Sequence, residues 1–309
     1  MKILQNFSSK KHIKELPITD ILIWYLGTSR LKGYGHTLKL YCEEKDLDFL
    51  KEWGLFDLYD EVDTEFLSNN ELFEIINQEN FWSIRKIECI NHEYEISEEP
   101  FIYMDTDIVM NMPVHMAGDL LVWSPEQKQE IYVPWECLSA PYDYVMPEYI
   151  YKMDKAYNCG ILGFKSKELF DLYRKEYLTF VINNPCITFD LEATEETIRN
   201  IWACNAEQRI LRAVANNNKW GVYTIMPTQI PGACNAGIHY YLCRAFWRKL
   251  NKNELNDDAR EYWIGILNDQ IRLLMSILKE QNSEMFNKFI SIDWIKDCVE
   301  NNINIEEYK

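Results

Sequence analysis

Apolar positions along this chain alternate between a two-residue and a three-to-four-residue spacing, which predicts strands interleaved with helices. Met1–Phe7 reads as a short first strand, and Asp20–Thr28 shows a helical apolar face with Thr19 placed to cap it. His36–Cys42 alternates through Leu38, Leu40 and Cys42 as a strand. Asp46–Trp53 predicts a helix ended by Gly54, and Tyr59–Val62 another short strand. Phe81–His92 predicts a helix with Trp82, Ile84, Ile87 and Ile90 on its apolar side, followed by an apolar strand at Phe101–Met104. Strand–helix alternation of this kind predicts an α/β sheet with its ligand site at the strand ends.

The second half is less regular. Glu130–Pro134 and Cys159–Phe164 read as strands, and Lys167–Asn183 as a helix stopped before Pro185. Glu207–Asn216 reads as an amphipathic helix ended by three asparagines, Gly221–Met226 as a buried strand, and Pro231–Gly237 as a loop. From about Asn251 the pattern is helical only, through Trp263, Ile266, Leu267, Ile271, Leu274 and Leu278. The expected organisation is one α/β domain over 1–250 and a helical appendage over 251–309, packed on it.

Bulk properties narrow the partners. The chain has 309 residues, is 47% hydrophobic and carries a net charge of −17. Such a surface repels nucleic acid and anionic lipid, and it holds a diphosphate only through a metal ion or a few placed cations. The nine cysteines are scattered with no CxxC pair, which fits a reducing compartment. The first residues lack the apolar core and cleavage site of a signal peptide, and no apolar run approaches the roughly 20 residues of a membrane span. A cytoplasmic location and no transmembrane segment are expected.

The chemistry centres on Pro100-Phe101-Ile102-Tyr103-Met104-Asp105-Thr106-Asp107. On a continuing strand, Asp105 and Asp107 would point the same way and converge on a hard divalent cation. Three later features follow in order: Tyr157-Asn158-Cys159-Gly160-Ile161-Leu162-Gly163-Phe164, then Ala206-Glu207-Gln208-Arg209, then His239 with Arg244-Ala245-Phe246-Trp247 beyond it.

This ordered set resembles the GT-A-fold DxD glycosyltransferases, especially the retaining type typified by glycogenin and bacterial lipopolysaccharide galactosyltransferases. It resembles still more closely a bacterial family with a domain of unknown function, which shares Pro-Phe-Ile-x-x-Asp-x-Asp, Tyr-Asn-x-Gly-Ile-x-Gly, Glu-Gln and a late His. The resemblance spans about 1–250 and implies a GT-A-like mixed sheet flanked by helices. It also implies a hexosyltransferase that moves sugar from a nucleotide donor, UDP-linked, with retention. The acceptor would be a glycan, a lipid-linked saccharide or a protein.

By the same resemblance, Asp105, Asp107 and His239 would bind Mn²⁺ (or Mg²⁺), a donor set that suits manganese. Asp105 and Thr106 would border the donor. Asn158 and the Gly160 backbone would hold donor-sugar hydroxyls, and Glu207 with Gln208 would line the reacting face of the sugar. Arg244, standing where the family has a Lys of Lys-Pro-Trp, would hold the β-phosphate. Asn6, Phe7 and Ser8 would meet nucleobase and ribose, while Ser83, Arg85 and Lys86 occupy a helix that often supplies a phosphate or sugar contact.

Each feature has a plainer reading. The two aspartates fit a solvated strand end, His239 a structural histidine, Arg85 and Lys86 a solvated helix face or ion pairs, and Asn158 a turn. Two other functions are open. One is a GT-A domain that binds nucleotide or glycan without turnover. The other is a haloacid-dehalogenase-type phosphatase, with Asp257-Asp258 as its late acidic pair, although Ile108 stands where that class places Gly.

Overall fold

A computed structural model describes residues 1–7, 18–75, 83–126, 135, 145–183, 201–226, 233–234, 237–239 and 257–300. Four parallel strands, β1 (Lys2–Asn6), β2 (Thr37–Tyr41), β3 (Glu61–Asp63) and β4 (Phe101–Met104), form one side of a mixed sheet. Beyond a separate strand, β5 (Ile108–Met110), the sheet continues with β6 (Leu120–Glu126), β7 (Ala156–Phe164) and β8 (Val222–Thr224). The strand order is β3-β2-β1-β4-β7-β6-β8, with β7 antiparallel to both neighbours. A second, three-stranded antiparallel sheet joins β5 to β9 (Ala233–Cys234) and β10 (Gly237–His239).

Alternation along each strand divides the core into two layers. Ile3, Leu38, Leu40, Ile102 and Met104 face one layer, and Leu4, Tyr41, Phe101 and Tyr103 the other. The first layer is closed by α1 (Ile18–Gly33), with α2 (Leu47–Glu52) beside it. Residues 19–28 of α1 are all buried, more than a single apolar stripe explains. A helix enclosed on all sides has neighbours on all sides. The second layer is closed by α3 (Ile84–Ile96), α4 (Lys167–Asn183) and α5 (Ile210–Asn217). Short helical turns lie at Phe66–Asn69, Leu72–Ile75 and Glu148–Tyr151.

The carboxy-terminal helices α6 (Asp257–Gln281), α7 (Ser283–Ile290) and α8 (Asp293–Glu300) share the first layer. They contribute Ile271, Leu274, Met275, Leu278, Met285, Phe289, Ile295 and Cys298 to the same core as Ile3 and Trp24. Asn282 donates to the Tyr25 hydroxyl at 2.9 Å, and Lys288 stands over the Trp53 ring. Among the described residues no helix is long and apolar enough to cross a membrane.

Most elements agree with the sequence pattern, including β4 and α4 at their expected bounds. The helix expected at 20–28 runs farther, over 18–33, and the one expected at 81–92 lies at 84–96. Gly54 closes α2 with φ of +64°, a left-handed conformation that glycine adopts without strain. The segment expected as a loop over 231–237 instead carries β9 and the start of β10. Pairing to β5 extends it, a long-range cause that local pattern does not register. The strand expected at 130–134 lies outside the described residues.

Candidate functional site

Strand order reverses between β1 and β4, and in open sheets ligands settle outside the carboxyl ends at such a point. Asn6 ends β1 and Asp105 directly follows β4, so both stand at this crevice. The Tyr103 hydroxyl donates to Asn6 Oδ1, fastening the two strand ends together. The Asp105 amide donates to the Gly160 carbonyl at 2.7 Å, which joins the acidic motif to the Asn-x-Gly segment of β7.

The aspartates are not successive residues of one strand face. The chain leaves β4 at Met104, turns through Thr106-Asp107 and enters β5. Strand alternation therefore does not govern Asp107. Asp107 is 6% exposed and Thr106 is similarly buried, whereas Asp105 is only partly covered. Register then pairs Ile108 with His239, so the backbone of β10 sets His239 across from the residue that follows Asp107. Gly237 permits this pairing, because a Cβ there would lie 2.8 Å from the Val109 carbonyl oxygen. Among the described residues no group of three His, Cys, Asp or Glu side chains forms a metal site.

Lys86, on α3, is the hub of the region. Its Nζ lies 3.0 Å from Asp105 Oδ1 and 3.2 Å from Oδ2, 2.9 Å from Glu207 Oε1, and 3.0 Å from the Cys159 carbonyl oxygen. An ammonium has three donors, and three separate groups receive them here. Lys86 is 3% exposed and Glu207 is fully buried. Burial alone would lower the lysine pKa, but Asp105 and Glu207 outweigh it and hold the ammonium above the usual lysine range. Burial pushes the Glu207 carboxyl above its ordinary value, with Lys86 opposing. Of the two plain readings for Lys86, the ion pair holds and the solvated face does not, because the side chain turns inward with the helix face that carries Ile87 and Ile90.

Glu207 and Gln208 occupy a π-helical turn, Asn205–Arg209, inside a helix that continues into α5. Such wide turns recur at functional sites. Tyr173 donates to the Glu207 carbonyl at 3.2 Å, taking up an oxygen in the widened turn. Gln208 is half-buried, so of the pair it alone presents surface. Arg209 donates to the Met153 carbonyl and Asn205 Oδ1, and its guanidinium lies 4.1 Å from the Trp135 ring centroid.

On β7, the pairing with β6 slips between Val122 and Ser124, a bulge at the Asn158–Gly160 motif. Asn158 Oδ1 accepts the Gly160 amide at 3.0 Å, and its Nδ2 donates to Glu126 Oε1 at 2.9 Å. Glu126, 5% exposed, is a group that sequence reasoning missed. It ends a strand that the residue pattern did not reveal.

The remaining expected residues divide. Phe7 packs on Trp24 and Phe49, with ring centroids at 4.8 and 6.2 Å. Ser83 is fully buried, and its hydroxyl is 2.9 Å from that of Tyr177. Arg85 pairs with Glu43 at 2.8 Å over the Phe73 ring. The structure does not gather these three around Lys86. Ser8 and Arg244 lie outside the described residues.

No curated protein matches the chain. Among solved structures it is similar to the PaToxG glycosyltransferase, with 10% identity over 70% of this chain and 69% of that one at a TM-score of 0.32. It is similar to mouse xyloside xylosyltransferase 1 in apo form, with 14% identity over 60% and 72% at 0.32. It is also similar to the inositol-1-phosphate CTP transferase from T. maritima, with 10% identity over 72% and 84% at 0.33. A family profile matches residues 1–259, and the chain thereby belongs to DUF6734, a family of unknown function.

Proposed function

We propose that this chain is a metal-dependent glycosyltransferase of GT-A type, transferring a hexose from a UDP-linked donor with retention. The observation that carries the reading is the convergence of Asp105, the Cys159 carbonyl and Glu207 on one buried ammonium at the strand-order reversal. Three sequence motifs that are far apart in the chain thus meet where an α/β sheet binds ligands.

Asp105, Asp107 and His239 are the residues that would hold Mn²⁺, or Mg²⁺ in its place. Two carboxylates and an imidazole support this choice of ion, because that donor set suits manganese. When bound, the ion supplies Lewis-acid assistance to a departing diphosphate. The chain's own residues do the rest. Asn158, held by Glu126, and the Gly160 backbone orient donor-sugar hydroxyls. Gln208 meets the sugar face, while the enclosed Glu207 acts through Lys86. Arg244 holds the β-phosphate, and Asn6 with its neighbours Phe7 and Ser8 borders the nucleoside.

The test is a thermal-shift panel of nucleotide sugars with and without Mn²⁺. UDP-sugars should stabilise the protein only with the metal, and Asp107→Ala should abolish the shift. No response to any nucleotide overturns the reading. Lys86 already engages both Asp105 and Glu207, which favours a second reading, a domain that binds donor without turnover. Donor hydrolysis or transfer, measured beside the thermal shift, separates the two.

A further inference from the structure

We propose that Lys86 is a positioning residue that couples cation occupancy at Asp105 to the placement of Glu207, acting as a counter-ion shared between them. This rests on the proposed metal-dependent reading. Lys86 Nζ lies within 3.2 Å of both Asp105 oxygens and within 2.9 Å of Glu207 Oε1. Glu207 Oε2 has no hydrogen-bond donor among the described residues. The enclosed Glu207 and the partly exposed Asp105 therefore compete for one buried ammonium.

The competition has a direction. A divalent ion drawing on Asp105 weakens that carboxylate's hold on Lys86, and the ammonium then commits to Glu207. The shift tightens Glu207 and, through the π-helical turn, sets Gln208 beside it. In the absence of metal, Lys86 is shared and occupies the very oxygens a cation would use. Cys159, whose carbonyl takes the third donor, anchors the ammonium to β7 so that it turns between partners without leaving.

The experiment titrates Mn²⁺ alone, by calorimetry, into the full-length protein and three variants: Lys86→Met, Glu207→Gln and the double variant. Lys86→Met should tighten Mn²⁺ binding by roughly tenfold, because the competitor for Asp105 is gone. Glu207→Gln should weaken it, because the carboxylate that competes with Asp105 for Lys86 is then gone. In the double variant the Glu207→Gln effect should largely vanish. If Lys86 merely held the fold together, both single variants would weaken Mn²⁺ binding and their effects would add, and that result overturns the proposal.

Should Lys86→Met fail to fold, the double variant removes the stranded carboxylate, and its comparison with Glu207→Gln alone must still show tighter Mn²⁺ binding. A metal-free arm keeps the two readings distinct. Thermal unfolding of the four proteins should show the double variant more stable than Lys86→Met, whether or not the wild type binds Mn²⁺. Absence of Mn²⁺ binding in the wild type sinks the metal-dependent reading, and with it the coupling. Mn²⁺ binding without the reversal of sign sinks the coupling alone.

Discussion

Gly27 of α1 and Ile108 of β5 meet backbone to backbone: a Cβ on Gly27 would stand 2.3 Å from the Ile108 carbonyl oxygen. The strand that follows Asp107 is thus seated directly on a helix, without an intervening side chain. Gly27→Ala forces the two apart, and overpacking of this kind costs about 1–3 kcal/mol. The expected outcome is a lower melting temperature and, on the metal-dependent reading proposed above, a weaker response to Mn²⁺. Gly33→Ala is the control, since nothing lies within 4 Å of its Cβ position. It should leave both measurements in place.

Glu93 gathers the polar part of the second core layer. It is fully buried and accepts from Lys2 at 3.0 Å, Lys39 at 2.8 Å and the Tyr41 hydroxyl at 2.6 Å. Replacement by Ala leaves the buried ammonium groups of Lys2 and Lys39 only the longer contacts to the exposed Glu61, at 3.4 and 3.7 Å, and of Lys2 to Glu99 at 3.8 Å; breaking a buried pair costs up to about 3–5 kcal/mol. Urea unfolding should show the midpoint falling with little change in slope.

His36 gives the fold a pH dependence near neutrality. Its Nε2 accepts the Val114 amide at 3.2 Å, which leaves Nδ1–H to donate to the Met1 carbonyl at 3.3 Å. Burial, aided by the Met1 amino group and His115, holds its pKa below the ordinary 6.5. The unfolded chain therefore takes up the proton first as pH falls, and the stabilisation is complete above 6.5 and lost between that value and the lower folded one. Chemical denaturation from about pH 7.5 to 5.5 should show stability declining with acid. His36→Gln should flatten that part of the profile.

The family profile stops at residue 259, but the core does not. Leu274, Met275, Leu278, Phe289 and Ile295 lie beyond it and are almost fully buried in the first layer. Each fully buried side chain of this size contributes roughly 1.5–3 kcal/mol. A protein truncated after residue 259 should lose its cooperative thermal transition, detectable by near-ultraviolet circular dichroism.

What the sequence disclosed depended on how local each signal was. The strand Phe101–Met104, the helix Lys167–Asn183 and the stop at Gly54 rest on neighbouring residues, and the structure has them. The three motifs were legible as an ordered set, and the structure joins two of them and the acidic turn through Lys86. For Lys86 the sequence leaves a solvated face and an ion pair both open. Nothing in its immediate neighbours distinguishes a solvated lysine from one that turns inward to two carboxylates from distant segments. Glu126 was invisible for a related reason, since its partner Asn158 is reached only through the pairing of β6 with β7. The turn at Thr106–Asp107 replaced an expected alternation because β5 must reverse onto α1 and meet β10.

Chain length is as constrained as chemistry at Asn205–Arg209. The π-helical turn holds one residue more than an ordinary helical turn, and Trp202 before it and Ile210 after it both reach the same core. Deleting a single residue there would regularise the helix and rotate the preceding turn by about 100°. Trp202 would swing away from Phe180, which it now meets at 5.4 Å, or else Glu207 would leave the lysine. A sequence that keeps Trp202, Glu207 and Ile210 but is one residue shorter between them cannot build the same site.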